Sequence, residues 1–256
     1  MKNTRRTFLK IAGVSLVGIG VKPIFEALAG EEGAKVIKAP EALRGKRWAM
    51  VVNLRKCSQE CKDCIEACHR VHNVPDFGNP KDEIKWIWNE PFPDAFPGQE
   101  HPYFEESLKG KPVIVLCNHC DNPPCVRVCP TKATFRRKED GIVMMDFHRC
   151  IGCRFCVAGC PYGARSMNYR DPRPFIKAIQ ADFPTRTKGV VEKCNFCEER
   201  LARGLLPACV LACKEKALIF GDLEDPKSPA REILRKNFTI RRKPELGTNP
   251  QVYYLV

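Results

Sequence analysis

The hydrophobic positions of the chain fall into short runs, and several of these runs lead directly into a cysteine. Residues 48–54 (WAMVVNL) and residues 113–116 (VIVL) have the length and the β-branched composition of strands. Residues 51–57 (VVNLRKC) match residues 144–150 (MMDFHRC) class by class, 93 positions apart. This match predicts a duplicated unit in which a strand delivers a cysteine.

Two further stretches carry no clear periodicity. Residues 71–109 include the run WIWNEPFP at positions 86–93, which is too aromatic for a flexible linker and too proline-rich for regular structure. We expect a docking loop there, with a local cap over the preceding cysteines as the alternative. Residues 226–256 form a charged tail with an apolar end. We expect this tail to be an extended segment laid over the folded body.

The first 29 residues have the organisation of an export signal. The sequence TRRTFLK at positions 4–10 matches the twin-arginine pattern, an apolar stretch follows at 11–21, and ALA at 27–29 has the form of a signal-peptidase site. The apolar stretch alone is too short to span a bilayer of about 30 Å. We therefore expect a folded protein exported to the extracytoplasmic face of the cytoplasmic membrane (periplasmic side or archaeal equivalent), with the signal either cleaved or retained.

Sixteen cysteines occur in four runs of four, with neighbours often only two residues apart. The run from Cys150 to Cys160 reads C-x2-C-x2-C-x3-C-P, the bacterial ferredoxin spacing for cubane iron–sulfur clusters. The run that starts at Cys117 stretches the middle gap to four residues, the run at Cys57 has three residues in its first gap, and the run at Cys194 has eleven in its middle gap. We expect residues 203–207 to fill that last gap with a helix end and a turn. This spacing favours metal over disulfides, and structural zinc sites usually show two separated C-x2-C pairs.

The ferredoxin pattern also predicts which cysteines share a cluster. Three cysteines of one loop bind one cube, and the fourth, at the start of a helix, reaches the other cube of the pair. Applied to both pairs of runs, this rule predicts four metal-binding sets. Set A is Cys57, Cys61, Cys64 and Cys213; set B is Cys68, Cys194, Cys197 and Cys209; set C is Cys117, Cys120, Cys125 and Cys160; set D is Cys129, Cys150, Cys153 and Cys156.

These sets predict an α+β, loop-rich fold of two ferredoxin-like [4Fe-4S] modules. The inner module, residues 111–170, holds sets C and D and is nested in the chain of an outer module. The outer module, residues 46–75 plus 185–225, holds sets A and B. Residues 76–110 are an aromatic and proline-rich insert, and residues 226–256 are the C-terminal extended tail.

The positive charge of the chain fits bound clusters better than nucleic acid. The formal net charge is +13, of which residues 1–29 contribute +4, so the remainder carries +9. Four clusters with thiolate ligands would add about −2 each and offset most of that excess. The five histidines are left outside the ligand sets, because sixteen cysteines already satisfy four clusters. The sequence has no catalytic triad, nucleotide loop or HExxH motif, so we predict a non-catalytic electron carrier.

Four segments carry a resemblance to a known family: CNHCDNPPC at 117–125, CIGCRFCVAGCPYG at 150–163, LLPAC at 205–209 and PELGT at 244–248. They resemble the four-cluster electron-transfer subunits of membrane-bound oxidoreductases, the family of NrfC and of the polysulfide-reductase small subunit. Within it, the twin-arginine leader, the first gap after Cys57 and the aromatic residues 86–103 are most similar to DsrO-type subunits of the DsrMKJOP complex. The chain departs from many relatives at Lys214 and His69, which replace the proline after the fourth cysteine of a run.

The resemblance implies partners as well as cofactors. It implies an NrfD-like (DsrP-type) membrane subunit that interacts with quinone, a multihaem cytochrome c (DsrJ-type) and other subunits of a membrane complex linked to sulfite reduction. Electrons would pass one at a time through four [4Fe-4S] clusters between these partners. A small subunit of a molybdopterin polysulfide, thiosulfate or dimethyl sulfoxide reductase is the alternative within the redox class. A zinc- or disulfide-stabilised binding module is the alternative from another class.

Overall fold

The computed structural model describes residues 42–58, 60–99, 103 and 111–256. The predicted twin-arginine signal, residues 1–29, lies outside these described residues. Short strands and short helices alternate along the described chain, which confirms the predicted mixed class of strands and helices. Within these ranges, no helix has both the length and the apolar character needed to cross a membrane.

The regular elements are short and are joined by loops. The strands are β1 (Trp48–Asn53), β2 (Ile87–Pro91), β3 (Pro112–Leu116), β4 (Thr134–Arg136), β5 (Val143–Met145), β6 (Ser166–Met167), β7 (Val191–Glu192), β8 (Leu218–Asp222), β9 (Thr239–Ile240) and β10 (Val252–Leu255). The α-helices are α1 (Asp63–Val71), α2 (Phe92–Ala95), α3 (Pro124–Arg127), α4 (Phe155–Ala158), α5 (Glu198–Leu201), α6 (Ala208–Ala212) and α7 (Pro229–Lys236). In the described ranges, 3₁₀ helices span Pro80–Asp82, Arg173–Phe175 and Pro244–Leu246.

A four-stranded sheet joins parts of the chain that are far apart in sequence. Its strand order is β8-β1-β10-β9, with β1 antiparallel to β8 and parallel to β10. The register places Met50 between Phe220 and Val252, and all three side chains are buried. The strand predicted at residues 48–54 is therefore confirmed and forms the centre of the core. The strand predicted at residues 113–116 is confirmed as β3.

The C-terminal tail corrects one prediction. Its last strand, β10, does not lie over the body but enters the sheet between β1 and β9. Val252 and Tyr254 are fully buried, whereas Tyr253 and Leu255 on the opposite face are half-buried. This alternation is the period-two pattern of a strand with one face in the core. Burial of two such side chains contributes about 1.5–3 kcal/mol each.

The insert also differs from the expectation of an irregular docking loop. β2 pairs antiparallel with β3, with Ile87 opposite Leu116. Pro91 and Pro112 face each other at the end of this ladder, where the missing N–H groups cost least. Trp86 and neighbouring aromatic side chains are buried, so the described part of the insert belongs to the core.

Contacts between distant segments hold the cysteine-bearing loops in place. Helix α1 packs against α6, and β1 pairs with β8. Arg186, in the connection before β7, and Glu192, in β7, have fully buried side chains that form an ion pair at 2.6 Å. Arg186 also donates hydrogen bonds to the carbonyl oxygens of His72 (2.5 Å) and Asn73 (2.8 Å), just after α1. The end of α1 is thereby tied to the strand that leads into Cys194.

Candidate metal centres

The loops that begin at Cys57 and Cys150 share the same preceding turn. In each, the side-chain Oδ1 of a short polar residue, Asn53 or Asp146, accepts hydrogen bonds from the backbone N–H groups two and three residues later, at 2.9–3.3 Å. Such side-chain to backbone bonds fix a turn where a strand ends. The two copies of the sequence repeat therefore have the same local structure, as predicted.

Short helices carry the third cysteine of each run. Cys125 lies on α3, Cys156 on α4 and Cys209 on α6. Pro124 and Pro207 stand at the starts of α3 and α6, where a missing N–H group and a fixed φ favour helix initiation. In these three runs the fourth cysteine follows the helix, which corrects the expectation that it starts one. In the run that begins at Cys57, the third and fourth cysteines both lie on α1.

Three of the C-x2-C loops share a left-handed residue just before their second cysteine. The residues are His119 (φ 41°), Gly152 (φ 67°) and Phe196 (φ 57°). This conformation turns successive backbone N–H groups toward one side, as in anion-binding nests. At Gly152 a Cβ atom would lie 2.4 Å from the carbonyl oxygen of Gly189, so glycine is required there. His119 and Phe196 adopt the conformation at a cost of about 1–2 kcal/mol each.

The cysteines of set A influence one another electrostatically. In the iron-free protein, burial and the charges of the other three set A cysteines together raise the pKa of Cys64 to about 12. Burial and the charges of Cys213 and Cys61 likewise raise the pKa of Cys57. The backbone N–H of Ala217 donates to the Sγ of Cys213 at 3.2 Å. The structure thus brings the four cysteines of set A together.

Set B is the most deeply buried group of cysteines. Burial raises the pKa of Cys68 well above its usual value, and the charges of the other three set B cysteines act in the same direction. The backbone N–H groups of Phe196 and Ala208 donate to the Sγ atoms of Cys194 and Cys197, both at 3.4 Å. Donors of this kind stabilise thiolate ligands of a cluster.

Set C surrounds a small cavity. All four of its cysteines line that cavity, together with Tyr162 and Arg165. Burial raises the pKa of Cys120 to about 12, with the charges of the other three cysteines acting in the same direction. A hydrogen bond from the side chain of Thr248 opposes this shift. Thr248 also bonds to the hydroxyl of Tyr162, which anchors the C-terminal segment beside the cavity.

Within set D, the charge of Cys150 acts on Cys156. Burial raises the pKa of Cys156, and the charge of Cys150 contributes to that shift. Cys129 instead interacts with its own loop, where backbone N–H groups and the hydroxyl of Thr131 (3.7 Å) lower its pKa against the effect of burial. Membership of Cys129 and Cys153 in set D, like the ligand role of all sixteen cysteines, stays a prediction.

Electrostatic interactions between thiols of different sets link the sets in a row. The charge of Cys64 acts on Cys68 and Cys209, which links set A to set B. The charge of Cys117 acts on Cys194, which links set C to set B. The charge of Cys125 acts on Cys156, which links set C to set D. These links order the thiols as A, B, C, D.

Two buried cations that the sequence analysis did not single out as functional lie between sets. Arg165 is 4% exposed, and its Nη2 donates to the Sγ of Cys125 at 3.1 Å. Burial opposes its charge, but thiolates of sets C and D outweigh that effect and raise the pKa of Arg165. Lys193 is 1% exposed and donates to the carbonyl oxygens of Val143 and Cys194. For Lys193, the position directly before Cys194 is a weak sequence signal of a role at the site. For Arg165, the only such signal is that it follows the ferredoxin run.

Two histidines lie close to the cysteines. The ring of His119 stacks on Phe196 with centroids 3.7 Å apart, and its Nδ1 accepts from the backbone N–H of Val143 at 3.1 Å. His72 lies with Nδ1 3.5 Å from the Sγ of Cys68 and Nε2 3.0 Å from Glu199. A metal ion could be held by the ligand atoms of His72, Glu199 and Cys197, which lie close together. Cys197, however, is one of the four cysteines of set B.

The residues present fit iron–sulfur clusters. They supply grouped thiols, N–H donors aimed at sulfur and buried cations that balance negative charge. All sixteen cysteines lie in the described part of the chain, and none of them forms a disulfide there.

Known proteins match the chain over most of its length. The 4Fe-4S dicluster domain family matches residues 113–223. The Hdr-like menaquinol oxidoreductase iron–sulfur subunit 1 of Archaeoglobus fulgidus is 38% identical, over 98% of this chain and 97% of the relative. A tetrathionate reductase subunit of Salmonella typhimurium is 37% identical, over 100% and 89%. Protein NrfC of Escherichia coli is 37% identical, over 93% and 92%.

These matches run over nearly the full length of both partners, so they include the cysteine-bearing loops on both sides of the dicluster region. The thiol sets and the relatives therefore lead to the same conclusion. The chain belongs to the family of 4Fe-4S dicluster iron–sulfur subunits that transfer electrons within larger oxidoreductase complexes.

Proposed function

We propose that this protein is a DsrO-type subunit that holds four [4Fe-4S] clusters, one on each of sets A to D, in two nested ferredoxin-like modules. It relays electrons between an NrfD-like (DsrP-type) membrane subunit that interacts with quinone and a multihaem cytochrome c (DsrJ-type). The complex is of the DsrMKJOP type, and its electrons are linked to sulfite reduction. The twin-arginine pattern supports a position at the extracytoplasmic face of the membrane.

The row of four thiol sets is the observation that carries this proposal. Bound clusters would supply one-electron redox chemistry at each set. Because every set has at most two neighbours in the row, electrons would enter at one end and leave at the other. A protein of this kind needs no substrate pocket, and its own residues act by excluding water, holding the thiolates and setting the local charge.

Exposure along the row fits docking of partners at its ends. The middle sets are almost completely buried, whereas Cys57 and Cys61 at one end and Cys150 and Cys153 at the other are half-buried. Large apolar side chains are exposed beside the end sets. Near set D these are Ile151 and Phe155, and near sets A and B it is Leu211, each more than half exposed. Exposed apolar side chains in one place are typical of interaction surfaces.

The first experiment is metal analysis of the native complex, extracted gently from membranes. We expect about 16 iron atoms per chain, as four cubane clusters require, together with c-type haem and no molybdenum or tungsten. Zinc in place of iron would refute the proposal. Iron near half the expected value would show that one module binds no clusters.

The docking surfaces are tested separately. Ile151→Asp places a charge beside set D and should release the partner that binds there, as seen in pull-down of the complex. Phe238→Asp is the matched control, since Phe238 is 77% exposed and lies outside the cysteine loops. Equal retention of both partners by Ile151→Asp and Phe238→Asp would refute docking at this end.

A second candidate function is favoured by one observation. The similarity to the tetrathionate reductase relative covers the whole chain. A small subunit of a molybdopterin reductase would use the same four thiol sets. Molybdenum or tungsten without haem c in the extracted complex would establish this alternative and leave the cluster assignments unchanged.

A further inference from the structure

Arg165 lies between two of the thiol sets and has an unusual environment for a buried cation. Its Nη2 is 3.1 Å from the Sγ of Cys125, in set C, and 2.6 Å from the Oγ1 of Thr134. Its Nη1 lies 3.7 Å from the Sδ of Met145, and its charge lowers the pKa of Cys156, in set D, against the effect of burial. Thr134 donates its own hydroxyl proton to the carbonyl oxygen of Met144 at 2.8 Å, so its oxygen is free to accept from the guanidinium.

The charge of Arg165 is balanced chiefly by thiolate sulfur. The groups that favour its charge are thiolates of Cys125, Cys156, Cys117 and Cys160, and no carboxylate in the described part of the chain is ion-paired with it. Burial of an unpaired cation costs several kcal/mol. Arginine keeps its charge under all ordinary conditions and holds several donors in one plane. Its contact with Cys125 and its attraction to thiolates of both sets thus fix one positive charge between sets C and D.

We propose that Arg165 is a positioning residue that raises the reduction potentials of the clusters on sets C and D together. Reduction adds one negative charge to a cluster, and a nearby fixed positive charge stabilises that added electron. Since the guanidinium contacts Cys125 of set C and also acts on Cys156 of set D, it raises both potentials and leaves the electron transfer between the two clusters nearly balanced. An electron that reduces either cluster would come from the neighbouring cluster and would pass on without a proton. This inference rests on the proposed clusters of sets C and D but not on the identity of the partners.

The test is a redox titration of the full chain in its complex, followed by electron paramagnetic resonance. For Arg165→Gln we expect the reduction equilibrium constants of two of the four clusters to fall at least tenfold, which is 59 mV for one electron. Arg165→Lys keeps the charge and should shift them much less. Arg149→Gln is the matched control, because it removes an equal charge from a side chain that is 65% exposed, beside Cys150.

A second pair of variants covers the case in which Arg165→Gln fails to bind iron. Thr134→Asp adds a carboxylate next to the guanidinium and should lower the same two potentials, whereas Thr134→Asn is its neutral counterpart. Unchanged potentials in Arg165→Gln, equal shifts in Arg165→Lys and Arg165→Gln, or equal potentials in Thr134→Asp and Thr134→Asn would overturn the inference. Loss of iron from Arg165→Lys and both Thr134 variants would also overturn it, since Arg165 would then be needed for packing.

Iron analysis separates failure of this inference from failure of the proposed function. Wild-type protein without iron on sets C and D would refute the proposed function. Wild-type protein with all four clusters, but with potentials that do not respond to Arg165, would refute this inference alone.

Discussion

The buried ion pair between Arg186 and Glu192 gives the sharpest stability prediction. Both side chains have zero exposure, and the charged groups are 2.6 Å apart. Glu192 also accepts hydrogen bonds from Trp86 Nε1 at 2.9 Å and from Asn168 Nδ2 at 2.6 Å. Arg186→Met would leave the Glu192 carboxylate buried without its cation. It would also remove the donors to two backbone carbonyl groups after α1.

Removal of one partner from a buried pair costs about 3–5 kcal/mol. At 1.4 kcal/mol for each factor of ten, that range corresponds to an equilibrium constant for unfolding about 100- to 4,000-fold larger. Because the pair ties the end of α1 to the strand before Cys194, we expect opening around set B to release iron. The double variant Arg186→Met with Glu192→Gln should lose less stability than Arg186→Met alone, since it leaves no buried charge without a partner.

The assay measures how fast the cluster absorbance at about 400 nm is lost in guanidinium chloride, for the wild type and for each variant. We expect Arg186→Met to bleach at least tenfold faster than the wild type at the same denaturant concentration. Arg173→Met is the control, because it removes an exposed ion pair with Asp171 and should leave the rate unchanged. Bleaching of Arg186→Met within about threefold of the wild-type rate would refute the reasoning.

Three further predictions follow from single positions. Gly152→Ala should lower the iron content, because its Cβ would lie 2.4 Å from the backbone carbonyl oxygen of Gly189. Gly163→Ala is the control, since Gly163 has a similar φ but open space around it. This control should lose only about 1–2 kcal/mol of unfolding free energy in denaturant. In the described structure, the buried hydroxyl of Tyr254 has no hydrogen-bond partner. Tyr254→Phe should therefore leave the free energy of unfolding unchanged or raise it by about 1–3 kcal/mol. A clear loss of stability would contradict this prediction. Burial raises the thiol pKa values of Cys64 and Cys120 from 9.0 to about 12. In the iron-free protein, the contribution of these two thiols to the free energy of unfolding is therefore complete below pH 9 and is lost as the pH rises toward 12. Thermal melting by circular dichroism at pH 8 and pH 10 checks the last prediction, and a higher midpoint at pH 10 would contradict it.

The sequence alone was enough to locate the cysteine loops and the central strand. The spacing within a run such as Cys150 to Cys160 reflects local chain geometry, since a few residues decide whether three thiols can face one cluster. The turn at Asn53 is local as well, because its side chain bonds to N–H groups two and three residues away. Such features depend on near neighbours in the chain and can therefore be predicted from the order of residues.

Other predictions failed where the partner of a segment lay far away in sequence. The aromatic insert looked irregular because of its prolines, but β3 provides a ladder that Ile87 and Trp88 can join. The tail looked like a cover over the body, but β1 offers an open edge on which Val252 and Tyr254 become buried. In both cases hydrophobic burial against a distant strand decided the structure.

Only the tertiary structure could decide the electrostatics of the site. Arg165, Lys193 and the pair of Arg186 with Glu192 are ordinary charged residues in the sequence, and most charged residues lie on the surface. Folding removes these from water and places them against thiols, carbonyl groups or an opposite charge. The order of the four sets has the same origin, because it depends on electrostatic interactions between thiols that are far apart in sequence, such as Cys117 and Cys194. The cysteine spacing thus determined what each loop can bind, and long-range packing determined which loops and charges act on one another.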